Sequence, residues 1–262
     1  LPQARADSTR ATGIAKGAIA AKMSWYPEGR RMTKVTWFGH SAIQLQDGKH
    51  RILIDPFISG NPVAPLTSGQ VQKSDFILVT HGHSDHLGDT IALAKRDKCT
   101  VIATWELAKY LEKKGVNVHP MSTGGAHDFS FGRVKVTPAL HGCGGDPDPD
   151  GDVVPPNSPV GYLIHFGKKV VYHAGDTALF TDMKLIGEKT PINLACLPIG
   201  DNFTMGVEDA ARANEFLNAE RCLPIHFNTW DIIKVDPKAF AFKIEKQGKK
   251  CLLPKPGEEI EI

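Results

Sequence analysis

Four side chains able to bind a metal lie within six positions of one another: His81, His83, Asp85 and His86, in the run Thr80-His81-Gly82-His83-Ser84-Asp85-His86. Crowded neutral imidazoles lose solvation and crowded imidazoliums repel, so such a cluster is a poor packing device. A bound cation relieves both costs, because imidazole nitrogen and carboxylate oxygen are good ligands for zinc and related metals. The alternative is a solvated loop that happens to be rich in histidine. Four further residues, Asp55, His141, Asp176 and His226, each stand at the end of an apolar run. His81 and His83 are two apart and point the same way on an extended segment. With His141 they make a three-His site. Asp85 and His86 with His226 make a second, and Asp176 could bridge the two. Two metals about 3.5–4 Å apart would clamp a hydroxide and polarise a substrate oxygen, giving a nucleophile at neutral pH.

Residues so far apart in the chain converge only if rigid elements aim them. The text from Lys34 is strand-like: Val35–Phe38, then Ile43–Gln46, the hairpin signal Asp47-Gly48, and Arg51–Ile54 ending at Asp55-Pro56. The apolar run Phe76–Val79 leads into the His cluster. Helices are expected over 87–95 and 105–114 with a strand at 100–103 between them, then a hairpin over 129–139 turning at Gly132 and ending in Leu140-His141. Residues 142–159, dominated by Gly, Asp and Pro, follow His141 directly and are expected to form part of the pocket rim. Strands 160–166 and 169–173 precede Gly175-Asp176, a helix is expected near 181–188, and strand 192–197 leads to a loop over 198–206. Helix 207–217, strand 221–225 ending at His226, a helix near 237–246 and two short strands complete the pattern. Strands first, then mixed strand–helix units, suggest an α/β fold of two packed sheets with helices outside.

The 262 residues suffice for one large domain, with 41% hydrophobic and 23% charged residues, as in ordinary globular chains. Residues 1–31 differ, being rich in Ala, Arg, Lys and Thr with Asp7 and Glu28 as their acids. They read as an N-terminal extension or packed arm, and 32–262 as the functional domain. A net charge of +2 gives no electrostatic footprint for nucleic acid. No apolar stretch is long enough to span a bilayer. Five scattered cysteines suit free thiols and a reducing, cytoplasmic setting. Cys143, in a Gly-rich loop near His141, is the one thiol close to the chemistry.

The series His81-x-His83-x-Asp85-His86, a single His141, Asp176 in Gly175-Asp176-Thr177 and a late His226 resembles the metallo-β-lactamase superfamily of dinuclear hydrolases. The resemblance covers residues 34–262. It implies an αβ/βα sandwich of two packed mixed β-sheets flanked by helices, with the metals at one edge. Four stretches narrow it: Trp37-Phe38-Gly39-His40-Ser41, Ile52-Leu53-Ile54-Asp55-Pro56, Tyr172-His173-Ala174-Gly175-Asp176-Thr177, and Pro198 through Gly206. These are similar to metal-dependent hydrolases related to ascorbate-6-phosphate lactonase. The Gly-His-Ser start is also similar to N-acyl-phosphatidylethanolamine phospholipase D. The resemblance implies one metal on His81, His83 and His141, another on Asp85, His86 and His226, and Asp176 bridging. It suggests a homo-oligomer.

Around these ligands, Asp55 is expected to take the free N–H of a ligand histidine and fix its tautomer. His40 is expected at the pocket mouth, donating to substrate or to a developing oxyanion, or else as a structural ring. His173 reads as structural. Asn202, Phe203, Thr204 and Met205 are expected as a substrate wall whose backbone N–H groups face an anion, and Trp230 as an aromatic wall. The expected reaction is hydrolysis of a lactone or carboxylic ester of a small molecule, with Asp85 or Asp176 carrying the proton to the leaving group. A phosphodiesterase and a non-catalytic metal-containing binding protein are the alternatives. The expected cofactors are two divalent ions, zinc (Zn2+) first, with manganese, iron or nickel also able to bind.

Overall fold

The computed structural model describes residues 32–148 and 150–262. Residues 1–31, where the sequence suggests an extension or arm, lie outside the described residues. The chain opens with an antiparallel meander, β1 (Lys34–Trp37), β2 (Ile43–Gln46) and β3 (Arg51–Ile54). Asp47-Gly48 makes the turn between β2 and β3, where Asp47 Oδ1 accepts from the backbone N–H groups of Lys49 and His50. Next come β4 (Phe76–Leu78), the short helix α1 (Ser84–Leu87), α2 (Thr90–Asp97), β5 (Thr100–Thr104), α3 (Trp105–Lys113) and β6 (Val118–Met121). β3, β4, β5 and β6 pair in parallel.

A hairpin of β7 (Ala126–Phe129) and β8 (Gly132–Pro138) starts the second sheet, followed by β9 (Val160–Phe166) and β10 (Lys169–His173). Then come α4 (Met183–Lys189), β11 (Leu194–Pro198), α5 (Val207–Leu217), β12 (Arg221–Ile225), α6 (Pro237–Lys246), β13 (Lys250–Cys251) and β14 (Glu259–Glu261). Among the described residues the strands form two seven-stranded sheets, ordered β14-β1-β2-β3-β4-β5-β6 and β13-β12-β11-β10-β9-β8-β7.

The period-2 pattern of the strands explains the layers. Ile52, Ile54, Leu78 and Ile102 join Val134, Val136, Tyr162 and Ile164 in the core between the sheets. The intervening Leu53, Ile77, Val79, Val101 and Ala103 face the other way and pack with Ile91, Leu93, Leu107 and Leu111 of α2 and α3. On the second sheet, Ala210, Ala213 and Leu217 of α5 and Phe240 and Ile244 of α6 join the buried cluster with Leu197 and Ile225. This is the expected α/β sandwich of two mixed sheets flanked by helices.

Three elements depart from expectation. The hairpin expected over 129–139 has its first strand at Ala126–Phe129, turns at 130–131 and has Gly132 opening its second strand. The helix predicted over 87–95 is two helices, broken at Gly88. That residue has φ of +41°, and a Cβ there would stand 2.5 Å from the Pro56 carbonyl oxygen. The strand β6 went unpredicted because Pro120 lies inside it. β6 is the edge of its sheet, where a residue without an N–H is tolerated.

The direction of the strands prepares the site. β1, β3 and β4 run the same way, and so do β8, β10 and β12. His40, Asp55 and His81 follow the carboxyl ends of the first three; His141, Asp176 and His226 follow those of the second three.

Candidate metal centre

Three of these residues leave their strands in the left-handed region: His40 at φ 52°, Asp55 at φ 47° and His226 at φ 53°. Such a conformation costs a non-glycine residue about 1–3 kcal/mol and persists only where the surroundings impose it. Here they do. Asp55 N–H donates to the Leu78 carbonyl at 3.0 Å, and His226 N–H donates to the His40 carbonyl at 3.0 Å.

His81, His83 and His141 form the first group. His81 Nε2 lies 2.9 Å from His83 Nδ1, and His141 Nε2 lies 3.3 Å from the same nitrogen. One N–H between three converging nitrogens satisfies a single pair and leaves the third facing a lone pair or a proton. Burial pushes His81 well below its ordinary pKa and lowers His141 as well. Burial thus favours the neutral, lone-pair form of His81 and His141, the form that binds a cation.

Asp85, His86 and His226 form the second group, with a nitrogen of His40 also within 4.8 Å, and Asp176 converges with His81 and His86. Asp176 Oδ1 is 3.2 Å from His86 Nε2, and its Oδ2 is 3.1 Å from His226 Nε2 and 3.6 Å from His141 Nε2. One carboxylate thus reaches both groups. Asp85 Oδ2 lies 3.8 Å from His226 Nε2. His86 Nε2 and Asp176 Oδ1 are buried, and neither has a hydrogen-bond partner. Leaving such atoms unpaired is costly, and a shared cation removes the cost, so the donor set fits a divalent metal. Burial alone would raise the Asp176 pKa, but His226 and His86 overcome it and hold the carboxyl well below the usual range. Burial alone would lower His226, yet Asp176 and Asp85 raise it to about 9. Protons and a divalent cation therefore compete for the same nitrogens.

Behind the two groups lies a relay of hydrogen bonds. Asp55, wholly buried, accepts from His86 Nδ1 at 2.8 Å. It also accepts from the Thr80 backbone N–H at 2.8 Å and from the Thr80 hydroxyl at 2.7 Å. The Thr80 oxygen in turn lies 3.0 Å from His81 Nδ1 and accepts from it. One carboxylate thereby orients a histidine of each group and leaves both Nε2 atoms facing the centre. Thr80 went unnoticed in the sequence; its position directly before His-x-His is the signal that could have found it.

Of the two readings of His40, a ring at the pocket mouth or a structural ring, the first is not what the structure shows. Its ring is wholly buried, with Nε2 3.1 Å from Asp85 Oδ2 and Nδ1 2.7 Å from Thr229 Oγ1. Burial pushes its pKa down to about 4, so the neutral ring donates from Nε2 to Asp85 and accepts the Thr229 hydroxyl proton. Phe57 and Trp230 pack edge-on against it, at 5.7 and 5.1 Å between ring centroids. Standing after a strand end does not distinguish a ring at the mouth from one beneath it. His173 is structural: its buried Nε2 donates to the Ser41 carbonyl at 3.0 Å.

A cavity of about 400 Å³ opens onto the centre, lined by His83, Asp85, His141, Asp176 and His226 together with Phe57, Ser84, Asp146, Phe203 and Trp230. Of the expected substrate wall, Phe203 and Trp230 reach it. Met205 does not: it is 1% exposed and belongs to the core. Asn202 and Thr204 do not line it either, and the expected anion site is not there. The Asn202 N–H donates to Asp201 Oδ1 at 2.9 Å, those of Phe203 and Thr204 to the Asp201 carbonyl, and that of Met205 to the Thr177 carbonyl at 3.1 Å. The turn closes on itself, helped by left-handed backbone at Asp201 and Asn202. Phe57, Ser84 and Asp146 were not singled out in the sequence, although Asp146 lies in the loop expected at the rim. Cys143 Sγ accepts the Gly82 N–H at 3.1 Å, and burial pushes its thiol up, so it is no thiolate nucleophile.

Residues 50–227 match the Beta-lactamase superfamily domain. Over 230 residues the chain is 51% identical to a UPF0173 metal-dependent hydrolase of Shouchella clausii, covering 87% of this chain and 100% of that protein. It is also 51% identical over 229 residues to a UPF0173 metal-dependent hydrolase of Geobacillus sp., covering 87% of this chain and 100% of the relative. Among solved structures, Igni18, a metallo hydrolase of the hyperthermophilic archaeon Ignicoccus hospitalis, superposes with a TM-score of 0.78 at 34% identity, over 88% of this chain and 98% of that one. Two mixed sheets flanked by helices, carrying a His/Asp cluster at one edge, define a metal-dependent hydrolase of the β-lactamase superfamily. Within it, the chain belongs to the UPF0173 metal-dependent hydrolase family.

Proposed function

We propose that the chain hydrolyses a lactone or carboxylic ester with two divalent metal ions, zinc first among the candidates. His81, His83 and His141 would hold one; Asp85, His86 and His226 the other; Asp176 would touch both. The observation that carries this reading is the convergence of buried and half-buried His and Asp donor atoms, each group within 4.8 Å, with His86 Nε2 and Asp176 Oδ1 3.2 Å apart where the groups meet. Bound there, a metal pair supplies a water nucleophile active at neutral pH and draws charge from the substrate's oxygen.

The chain's own residues supply the rest. Asp85 faces the cavity and is less buried than Asp176, with side-chain exposures of 21% and 3%, so it is the carboxylate able to pass a proton to the leaving group. His40 holds Asp85 in place through Oδ2, acting on it rather than on the substrate. Phe203 and Trp230, 52% and 40% exposed at the cavity wall, offer an apolar surface to the substrate and exclude water.

Among the described residues lining this cavity there is no Lys or Arg, and the N–H groups of 201–205 are all taken by acceptors within the protein. Both facts favour a neutral ester or lactone over a phosphodiester, and they weigh against a phosphorylated lactone like that of the ascorbate-6-phosphate enzymes. An open cavity lined by His83, Asp85, His141, Asp176 and His226 favours catalysis over a closed structural site. All five cysteines are free, which supports a reducing compartment such as the cytoplasm.

The test is a panel of aliphatic lactones, p-nitrophenyl esters and bis-p-nitrophenyl phosphate offered to the zinc-loaded protein. Cleavage of a lactone or ester is expected. Cleavage of the phosphodiester alone would overturn the choice of bond, and no cleavage at full metal occupancy would favour a binding protein.

A further inference from the structure

A second, larger cavity of about 590 Å³ adjoins the metal cavity, and the two share Phe57 and Ser84 as wall residues. Its size lies within the roughly 300–1,000 Å³ of small-molecule sites. Phe57, Leu87, Ile91, Ala92 and Pro147 give it an apolar lining. The carboxylates beside them are committed elsewhere. Asp89 accepts from the Ile58 and Ser59 N–H groups at 3.0 and 2.7 Å and from the Ser59 hydroxyl at 2.6 Å. Asp148 accepts from the Tyr110 hydroxyl and from Lys114 Nζ, each at 2.6 Å, and from the Asp150 and Asp152 N–H groups at 2.9 Å. Lys95 and Asp150 complete the lining from exposed positions, Asp150 with 68% of its side chain in solvent. The buried part of the wall, at Phe57, Leu87 and Ile91, offers hydrocarbon contact.

Resting on the ester reading above, we propose that this cavity receives the straight acyl chain of the substrate. The acyl carbon carries the oxygen that would sit at the metal centre, and its chain continues from there past Phe57 and Ser84. The α1–α2 break at Gly88 and the loop bearing Pro147 form the walls, so the substrate is a medium-chain acyl ester or an alkyl-substituted lactone.

Ala92 lies on the exposed face of α2, so a larger side chain there fills the cavity without entering the core. The experiment measures binding of butanoate, hexanoate and octanoate to the zinc-loaded protein by calorimetry. Each buried methylene is worth about 0.8 kcal/mol, so affinity should rise about fourfold per added carbon. In Ala92→Trp that rise should vanish while butanoate binding stays as it was. Affinity independent of chain length, or a rise that survives Ala92→Trp, would overturn the assignment. Turnover of p-nitrophenyl butanoate and octanoate separates this proposal from the one it rests on. Chain-dependent binding without cleavage of either ester overturns the ester reading and leaves the cavity's occupant standing. Cleavage of both at equal kcat/KM, with no gain in binding, does the reverse.

Discussion

His86 Nε2 and Asp176 Oδ1 face each other across 3.2 Å in the interior, and neither is hydrogen-bonded. His86 stands on α1, which follows β4 of one sheet, and Asp176 lies just past β10 of the other. Their approach is what packing the two sheets accomplishes for function. A divalent cation is suited to both atoms at once, taking a lone pair from each.

Asp85, like His83 and His141, is a proposed ligand that is partly exposed at the cavity. Asp85→Ala should leave the three-His group intact, lose one metal per chain and lose nearly all turnover. Metal analysis of the purified variant checks it, and two bound metals with retained activity would sink the ligand assignment.

Asp55 lines neither the metal cavity nor the one beside it, yet it orients His86 directly and His81 through Thr80. Asp55→Asn keeps the volume and removes the charge. It should weaken metal binding about 10–100-fold, as loss of such outer partners does. Chelator competition reads the change, and an unaltered affinity would mean the ligand rings are oriented by other contacts.

The raised pKa of His226 sets a pH dependence. Without metal it is held at about 9, above its ordinary 6.5, by Asp176 and Asp85 acting against the effect of burial. It is therefore protonated at pH 7 and must lose that proton to bind metal through Nε2. Affinity should rise with pH until about 9. Calorimetry at pH 7 in buffers of different ionisation enthalpy should show protons released on zinc uptake. Equal heats in every buffer would contradict this. In the metal-free chain the same shift stabilises the fold fully below about pH 6.5, and that contribution fades as pH rises through 9.

Gly88 separates α1 from α2 with φ of +41° and lies close enough to Pro56 and Phe57 that a Cβ would stand 2.5 Å from the Pro56 oxygen. Gly88→Ala should cost about 2–4 kcal/mol and lower Tm by roughly 5–15 °C. An unchanged melting curve would show that the backbone there adjusts freely.

Much of this was legible in the sequence because strand ends carry the chemistry. The apolar runs before Asp55, His81 and His226 are short, clearly bounded and buried, so their last residues are aimed by the sheet. Loops and turns were less legible. Nothing in the text of residues 198–206 says that Asp201 and Asn202 adopt left-handed backbone and consume the N–H groups a ligand would need. Met205 reads like a wall residue and is core. His40 carries the right chemistry for the mouth but lies beneath Asp85, a distinction set by a backbone reversal that no local pattern encodes. Phe57 and Ser84 matter because two cavities meet at them, which only the folded chain reveals.

The most direct measurement is a zinc titration of metal-free protein that follows stoichiometry and lactone or ester hydrolysis together. Two ions per chain, with hydrolysis appearing as the second binds, is the predicted result. A single ion at saturation, or hydrolysis that persists after complete chelation, would contradict the two-metal account.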